Sequence, residues 1–325
     1  MGAAVAITVR WLPMKRARLS PRKFRAVCVA ALLMLSVIVV TGAAVRLTGS
    51  GLGCDDWPRC NDQQLIDVST RHAAIEQANR LFTGLVALAV ILAVLGSLWR
   101  DPRRRDLTWL SLGLVAGVVG QIVLGGVTVL VDLHPAAVQG HFLLSMVLVA
   151  NAVVLVHRAG LADAPVRHRL GRVVRRHLWW STAATLVAVV LGTVVTGAGP
   201  HAGDEEARRF ALSISAAARM HSVAVWIAIA VVVGLVVRLR RLASDRAVLD
   251  GPITLWVCIA VAQGVVGYLQ YFTGVPEALV AAHVAGATVL WAATVWMLEA
   301  QWTAVADSGS ARQALDELGG LVDHG

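Results

Sequence analysis

Long apolar stretches alternate with short charged ones eight times along this chain. The apolar runs fall near 25–46, 73–98, 108–130, 139–157, 178–198, 216–237, 253–272 and 281–301. Each is roughly 20 residues or more, the length a helix needs to cross the hydrocarbon of a bilayer. Lipid offers no partner to a free peptide group, so these runs predict eight membrane-spanning α-helices. Between them the basic residues are unevenly placed. The N-terminal cluster (Arg10 to Arg25), Arg100 to Arg105, Arg158 to Arg176 and Arg238 to Arg246 fall in alternate connections. The other connections carry few: Arg59, and Arg208 and Arg209 beside Asp204, Glu205 and Glu206. The positive-inside bias therefore predicts a multi-pass cell-membrane protein with both termini cytoplasmic and the loops after runs 1, 3, 5 and 7 outside.

Composition agrees with lipid as the main solvent. Of 325 residues 57% are hydrophobic, and the mean hydropathy is +0.70. The net charge of +9 comes from arginines spread between apolar runs, not gathered on one face, which argues against nucleic acid as a partner. The basic N-terminus leads into a run long enough to span, with no small-residue cleavage site, so it is expected to be retained. The expected division is a cytoplasmic basic tail at 1–24, a four-helix bundle at 25–158, a cytoplasmic linker at 159–177, a second four-helix bundle at 178–302, and a cytoplasmic tail at 303–325 with room for a short helix.

The two bundles follow from an internal repeat. Val39-Val40-Thr41-Gly42-Ala43 closes run 1 and Val194-Val195-Thr196-Gly197-Ala198 closes run 5. Gln121, Gly125 and His141 recur at one constant offset as Gln263, Gly267 and His283, and the same offset carries Asn79 to His221. The fold class is thus an all-α membrane protein of two pseudo-symmetric halves with the same orientation.

The chemistry-bearing residues sit on this repeat. His221 and His283 begin two helices of the second half at one depth, the arrangement for two imidazoles on one haem iron inside a bundle. In the first half the counterparts are His141 and Asn79. An amide is a poor iron ligand, so this half offers one strong ligand and an open position. Glu76 lies one turn from Asn79 and at i,i+4 to Arg80, with which it can pair. An open site beside a carboxylate suits catalysis, whereas a closed one suits electron transfer. His72, two turns before Asn79, is a competing ligand for the first half. Arg46 and Arg80 could neutralise haem propionates. Cys54 and Cys60 flank Pro58 in the first outer loop and suit a small disulfide loop or a redox-active pair. Cys28 and Cys258 read as small apolar residues within spans, and His134 and His201 as structural loop residues.

Thr48-Gly49-Ser50-Gly51-Leu52-Gly53-Cys54, then Asp56-Trp57-Pro58 and Cys60, resembles the first outer loop of the haem A synthase family of respiratory membranes. Thr196-Gly197 through Gly199-Pro200-His201-Ala202-Gly203-Asp204 is similar to its third. Pro135 through His141-Phe142-Leu143-Leu144, and Gln270-Tyr271 through Pro276 to His283, are similar to its fourth and eighth helix entries. The resemblance covers all eight runs. It implies oxidation of a methyl substituent of haem O to a formyl group, by successive hydroxylation and loss of water. It further implies a prosthetic haem b on His221 and His283, haem O as substrate in the first half, catalytic Glu76, substrate contacts at Asn79, Arg80 and Arg46, and a Cys54–Cys60 disulfide. Haem O synthase, a membrane electron donor and a homo-oligomer are the further partners it allows. The chain departs from the family's usual Glu-x-x-His-Arg in having Asn79, and it lacks a second cysteine pair in the third outer loop.

Two other classes compete. A non-catalytic di-haem b electron carrier predicts closed ligation in both halves, against which Asn79 counts. A haem transporter predicts a path across the membrane, whereas the candidate ligands share one depth.

Overall fold

The computed structural model describes residues 18–305. Eight long helices dominate: α1 (Pro21–Leu47), α2 (Arg71–Trp99), α3 (Arg105–Leu130), α4 (Pro135–Gly160), α5 (Arg172–Ala198), α6 (Ile214–Leu239), α7 (Ala243–Phe272) and α8 (Glu277–Glu299). All eight are long and apolar enough to cross a membrane. Their starts are set by local chemistry. The side chains of Ser20, Thr70 and Ser213 accept a hydrogen bond from the amides of Lys23, Ala73 and Ala216, respectively, which satisfies a backbone donor the helix itself leaves free. Pro21 and Pro135 occupy first-turn positions where no amide proton is needed.

Most helices extend a little past the apolar runs. The largest difference is α7, which starts at Ala243 where hydropathy alone places the start near 253, and which contains Pro252. Its first turns are charged, and Asp245 is buried there because its Oδ2 accepts from the Gly171 amide at 3.3 Å. Tertiary contact, not hydropathy, extends this helix.

Helix α1 packs on α2 and α4, and α3 packs on α4 and α2; α5 packs on α6 and α8, and α7 on α8. Helix α8 also lies against α1 and α4, where Trp291 Nε1 donates to the Met146 carbonyl at 2.8 Å. The neighbours α6 and α7 hardly touch, unlike α2 and α3. Burial follows the repeat. Val86, Val90 and Ala93 on α2 are buried, as are their counterparts Ala228, Val232 and Leu235 on α6. Leu107 and Leu114 match Leu249 and Trp256, and Val149, Val153 and Val156 match Trp291, Val295 and Leu298.

At one end the loops after α1, α3, α5 and α7 cluster. The Gly51 amide donates to the Gly203 carbonyl at 2.9 Å, and His201 Nε2 donates to the Val275 carbonyl at 2.8 Å. At the other end the arginine-rich connections are tied down. Arg100 meets Asp163 at 2.6 Å and Arg158 meets Glu299 at 2.9 Å. There β1 (Val166–His168) pairs antiparallel with β2 (Trp302–Ala304), joining the linker to the segment after α8. The expected tail thus begins as a strand. The short helix expected further along, and most of the basic N-terminal tail, lie outside the described residues.

Candidate functional site

A cavity of about 1780 Å³ runs through both halves of the repeat, bounded at the loop-rich end by Gly51, Trp57, Ala202 and Gly203. His141, His221, His283, Glu76, Asn79, Arg80 and Arg46 all line it.

In the second half the structure brings His221 and His283 together, with ring centres 6.3 Å apart. Two imidazoles on opposite faces of one iron, each bonded at about 2 Å, place their ring centres roughly 6 Å apart. The separation fits the group. The tautomer fits as well. His221 Nδ1 lies 2.9 Å from the Ala188 carbonyl, which can only accept, so Nδ1 carries the proton and Nε2 keeps a lone pair for a metal. His283 is held through its backbone, Gln263 Nε2 donating to its carbonyl at 3.0 Å, and its Nδ1 is buried without a partner among the described residues. Each ring rests on a glycine of the adjacent helix: a Cβ at Gly192 would stand 3.2 Å from His221, and one at Gly267 3.2 Å from His283.

The first half repeats half of this device. Gln121 Nε2 donates to the His141 carbonyl at 3.1 Å, Gly125 faces the ring, and His141 Nδ1 is buried without a partner among the described residues. Across the cavity wall stands Asn79, whose amide is bonded to Thr41 Oγ1 at 2.8 Å. Only one imidazole of this half lines the cavity among the described residues. His72 does not line it: His72 Nδ1 is bonded to Ser50 Oγ at 2.9 Å, at the start of α2.

Glu76 is almost fully enclosed, at 6% exposure. Its Oε2 accepts from the Cys54 amide at 2.8 Å, and its Oε1 accepts from Arg80 Nε at 3.0 Å and from the Arg80 guanidinium at 2.6 Å. Arg80 also donates to the carbonyls of Arg59 and Asp56. The i,i+4 pair therefore grips the first outer loop, which Cys54 and Cys60 close as a disulfide. Gly53 passes against the His72 and Ala73 backbone, where a side chain has no room. Arg46 donates to the His201 carbonyl, so it ties α1 to the third loop. Cys28 is buried and Cys258 faces outward. His134 and His201 are structural, His134 accepting from the Ala136 amide at the start of α4.

Several cavity residues had no role assigned from the sequence. Trp57 seats its ring on Gly126. Gln139 Nε2 donates to Thr193 Oγ1 at 2.7 Å, linking a residue just before His141 to the one after Gly192. Arg208 and Arg219 line the cavity with no ion-pair partner among the described residues.

The profile of the COX15-CtaA family, described as cytochrome oxidase assembly protein, matches residues 25–78 and 64–295. The chain belongs to this family. Proteins named heme A synthase are among its relatives. That of Listeria welshimeri is 30% identical over 173 residues, 51% of this chain and 56% of its own length. The same figures hold for a Listeria monocytogenes protein of that name, so this chain spans little more than half the length of both. The Bacillus mycoides heme A synthase is 25% identical over 264 residues, 77% of this chain and 84% of its own.

Proposed function

We propose that the chain is a haem A synthase, oxidising a methyl substituent of haem O to a formyl group. The carrying observation is the asymmetry of the repeat: a closed imidazole pair at His221 and His283, against a single cavity-facing imidazole at His141. The relatives' shared name points the same way.

In this reading residues 178–302 hold a prosthetic haem b on His221 and His283, and residues 25–158 take haem O beside His141. Bound haem b supplies one-electron chemistry. The chain's own residues supply the rest. His221 and His283 are presented by Ala188, Gln263 and two glycines. Glu76 is the catalytic carboxylate, held by the Cys54 amide and Arg80 at the mouth of the first-half pocket. Asn79 and Thr41 present a polar amide there in place of a second imidazole. Arg46, Arg208 and Arg219 bring positive charge to the loop-rich end, suited to propionates, while Arg80 is taken up by Glu76 and the loop. In this reading the protein sits in the cell membrane with both termini cytoplasmic and the loop-rich end of the cavity outside. Haem O synthase and a membrane electron donor are its expected partners, in an assembly that admits homo-oligomers.

Pigment analysis of purified protein tests this, with and without a supply of haem O. Wild type should carry haem b and form haem A only when haem O is present. Glu76→Ala should accumulate haem O or a hydroxylated form, and His221→Ala should lose haem b. A wild type holding two haem b groups and leaving haem O unaltered would replace the enzyme with an electron carrier.

A further inference from the structure

The repeat places equivalent positions on the side wall of each half, between its second and third helices. In the second half these are Trp226 on α6 and Tyr268 on α7. Both line the cavity, and both face outward at 59% and 50% exposure, so they stand where cavity meets lipid. Although α6 and α7 hardly touch, Trp226 Nε1 donates to the Tyr268 hydroxyl at 3.4 Å, spanning the gap. The equivalent positions in the first half are Gly84 on α2 and Gly126 on α3. Both line the cavity too, yet a Cβ at Gly84 would meet nothing within 4 Å. At Gly126 a Cβ would stand 2.6 Å from Trp57, so a ring carried by the first outer loop fills the place Tyr268 takes in the second half.

We propose that the two halves close their side openings by different means: a helix-borne latch, Trp226–Tyr268, retains the group in the second half, and a loop-borne gate, Trp57 over Gly126, lets the group in the first half exchange with lipid. This rests on the assignment of prosthetic and substrate haem made above. The physical difference is the anchor. Trp226 and Tyr268 can clear the opening only if two membrane helices move or both rings rotate into lipid. Trp57 clears it if the loop lifts, and the loop is held by the Cys54 amide, Arg80 and its contacts to Asp56 and Arg59. A flat amphiphile with an alkyl tail has reason to use such an opening, because its tail stays in lipid while its ring enters.

Haem release to excess apomyoglobin separates the two. Wild-type protein loaded with haemin should lose the low-spin, bis-imidazole signal slowly. Trp226→Ala should start with the same low-spin signal and lose it faster by about tenfold, the effect of removing one aromatic contact; Trp226→Phe, which keeps a ring but loses the Nε1 donor, should fall between the two. Trp57→Ala should leave that slow phase alone. In a His221→Ala background, where only the first half takes haemin, Trp57→Ala should speed both uptake and release. Release from Trp226→Ala at the wild-type rate, or equal acceleration of both halves by Trp57→Ala, would overturn the latch and gate. A wild type with no low-spin signal sensitive to His221→Ala would instead remove the reading beneath them.

Discussion

Asn79 stands at the position the repeat gives to His221, and its surroundings are built for an amide: Thr41 Oγ1 is 2.8 Å away. That single residue makes the two halves chemically unequal, so changing it should change the first half alone. In a His221→Ala background loaded with haemin, the first half should be high-spin, with His141 as its one strong ligand. Adding Asn79→His should convert it to low-spin, visible by electron paramagnetic resonance; an unchanged high-spin signal would mean that residue 79 does not face the iron. The glycines under the imidazoles permit a second test. Gly192→Val should push against His221, since even a Cβ stands 3.2 Å from the ring. We expect a loss of about 1–3 kcal/mol from overpacking and a weakened low-spin signal. Gly264→Ala, with nothing within 4 Å, should do neither, and equal effects would show that the glycines are not seats for the rings. At this scale the sequence was informative where residues recur: His141, His221, His283 and the two glutamines stand out because the register repeats them. Arg80 was legible as the partner of Glu76, but its hold on the Arg59 and Asp56 carbonyls and the seat of Trp57 were not, because a loop's path decides what each touches.

At the scale of elements, the start of α2 and the loop before it form one unit. Glu76 is buried with three N–H donors on its two oxygens, and the Arg80 guanidinium supplies two of them. Removing Arg80 leaves a nearly enclosed carboxylate with one donor. Arg80→Ala should therefore destabilise the protein by about 3 kcal/mol, as expected for breaking a buried pair from one side. Glu76→Gln should cost less, and the double variant should cost less than the sum of the two, because they share one interaction. Denaturation in detergent checks this; additive losses would mean that Arg80 acts through its loop carbonyls alone. Helix existence was legible from hydropathy, and most helix starts lay within a few residues of the apolar runs, but the start of α7 was not legible. The charged first turns of α7 look like loop until Asp245 finds the Gly171 amide, and the strand at Trp302–Ala304 is set by a partner far away in sequence, Val166–His168.

Across the whole molecule the cavity's imidazoles and the charge network occupy opposite ends. Helix α4 shows the distance: its 26 residues span about 39 Å at 1.5 Å per residue, with His141 near its start and Arg158 near its end. Arg158 Nε donates to buried Glu299 on α8 at 2.9 Å, and the Arg158 guanidinium lies 4.5 Å from the centre of the Trp302 ring. Arg169 beside β1 donates to the Ala300 carbonyl at 2.7 Å. The Glu299 carboxylate thus fastens α4 to the end of α8, and the Ala300 carbonyl beside it holds the linker. Glu299→Ala should leave Arg158 partly buried without a counter-charge and lower stability by about 2–3 kcal/mol, somewhat less than for a fully buried pair. Sites this far apart with no shared partner act independently, so the imidazole pair should be untouched. We therefore expect Glu299→Ala to melt earlier while keeping the wild-type low-spin signal up to its transition. Loss of that signal well below the transition would mean that the joint between halves sets the distance between His221 and His283. The Trp291–Met146 contact and the packing of α8 on α1 argue against this, since they hold the halves together nearer the cavity.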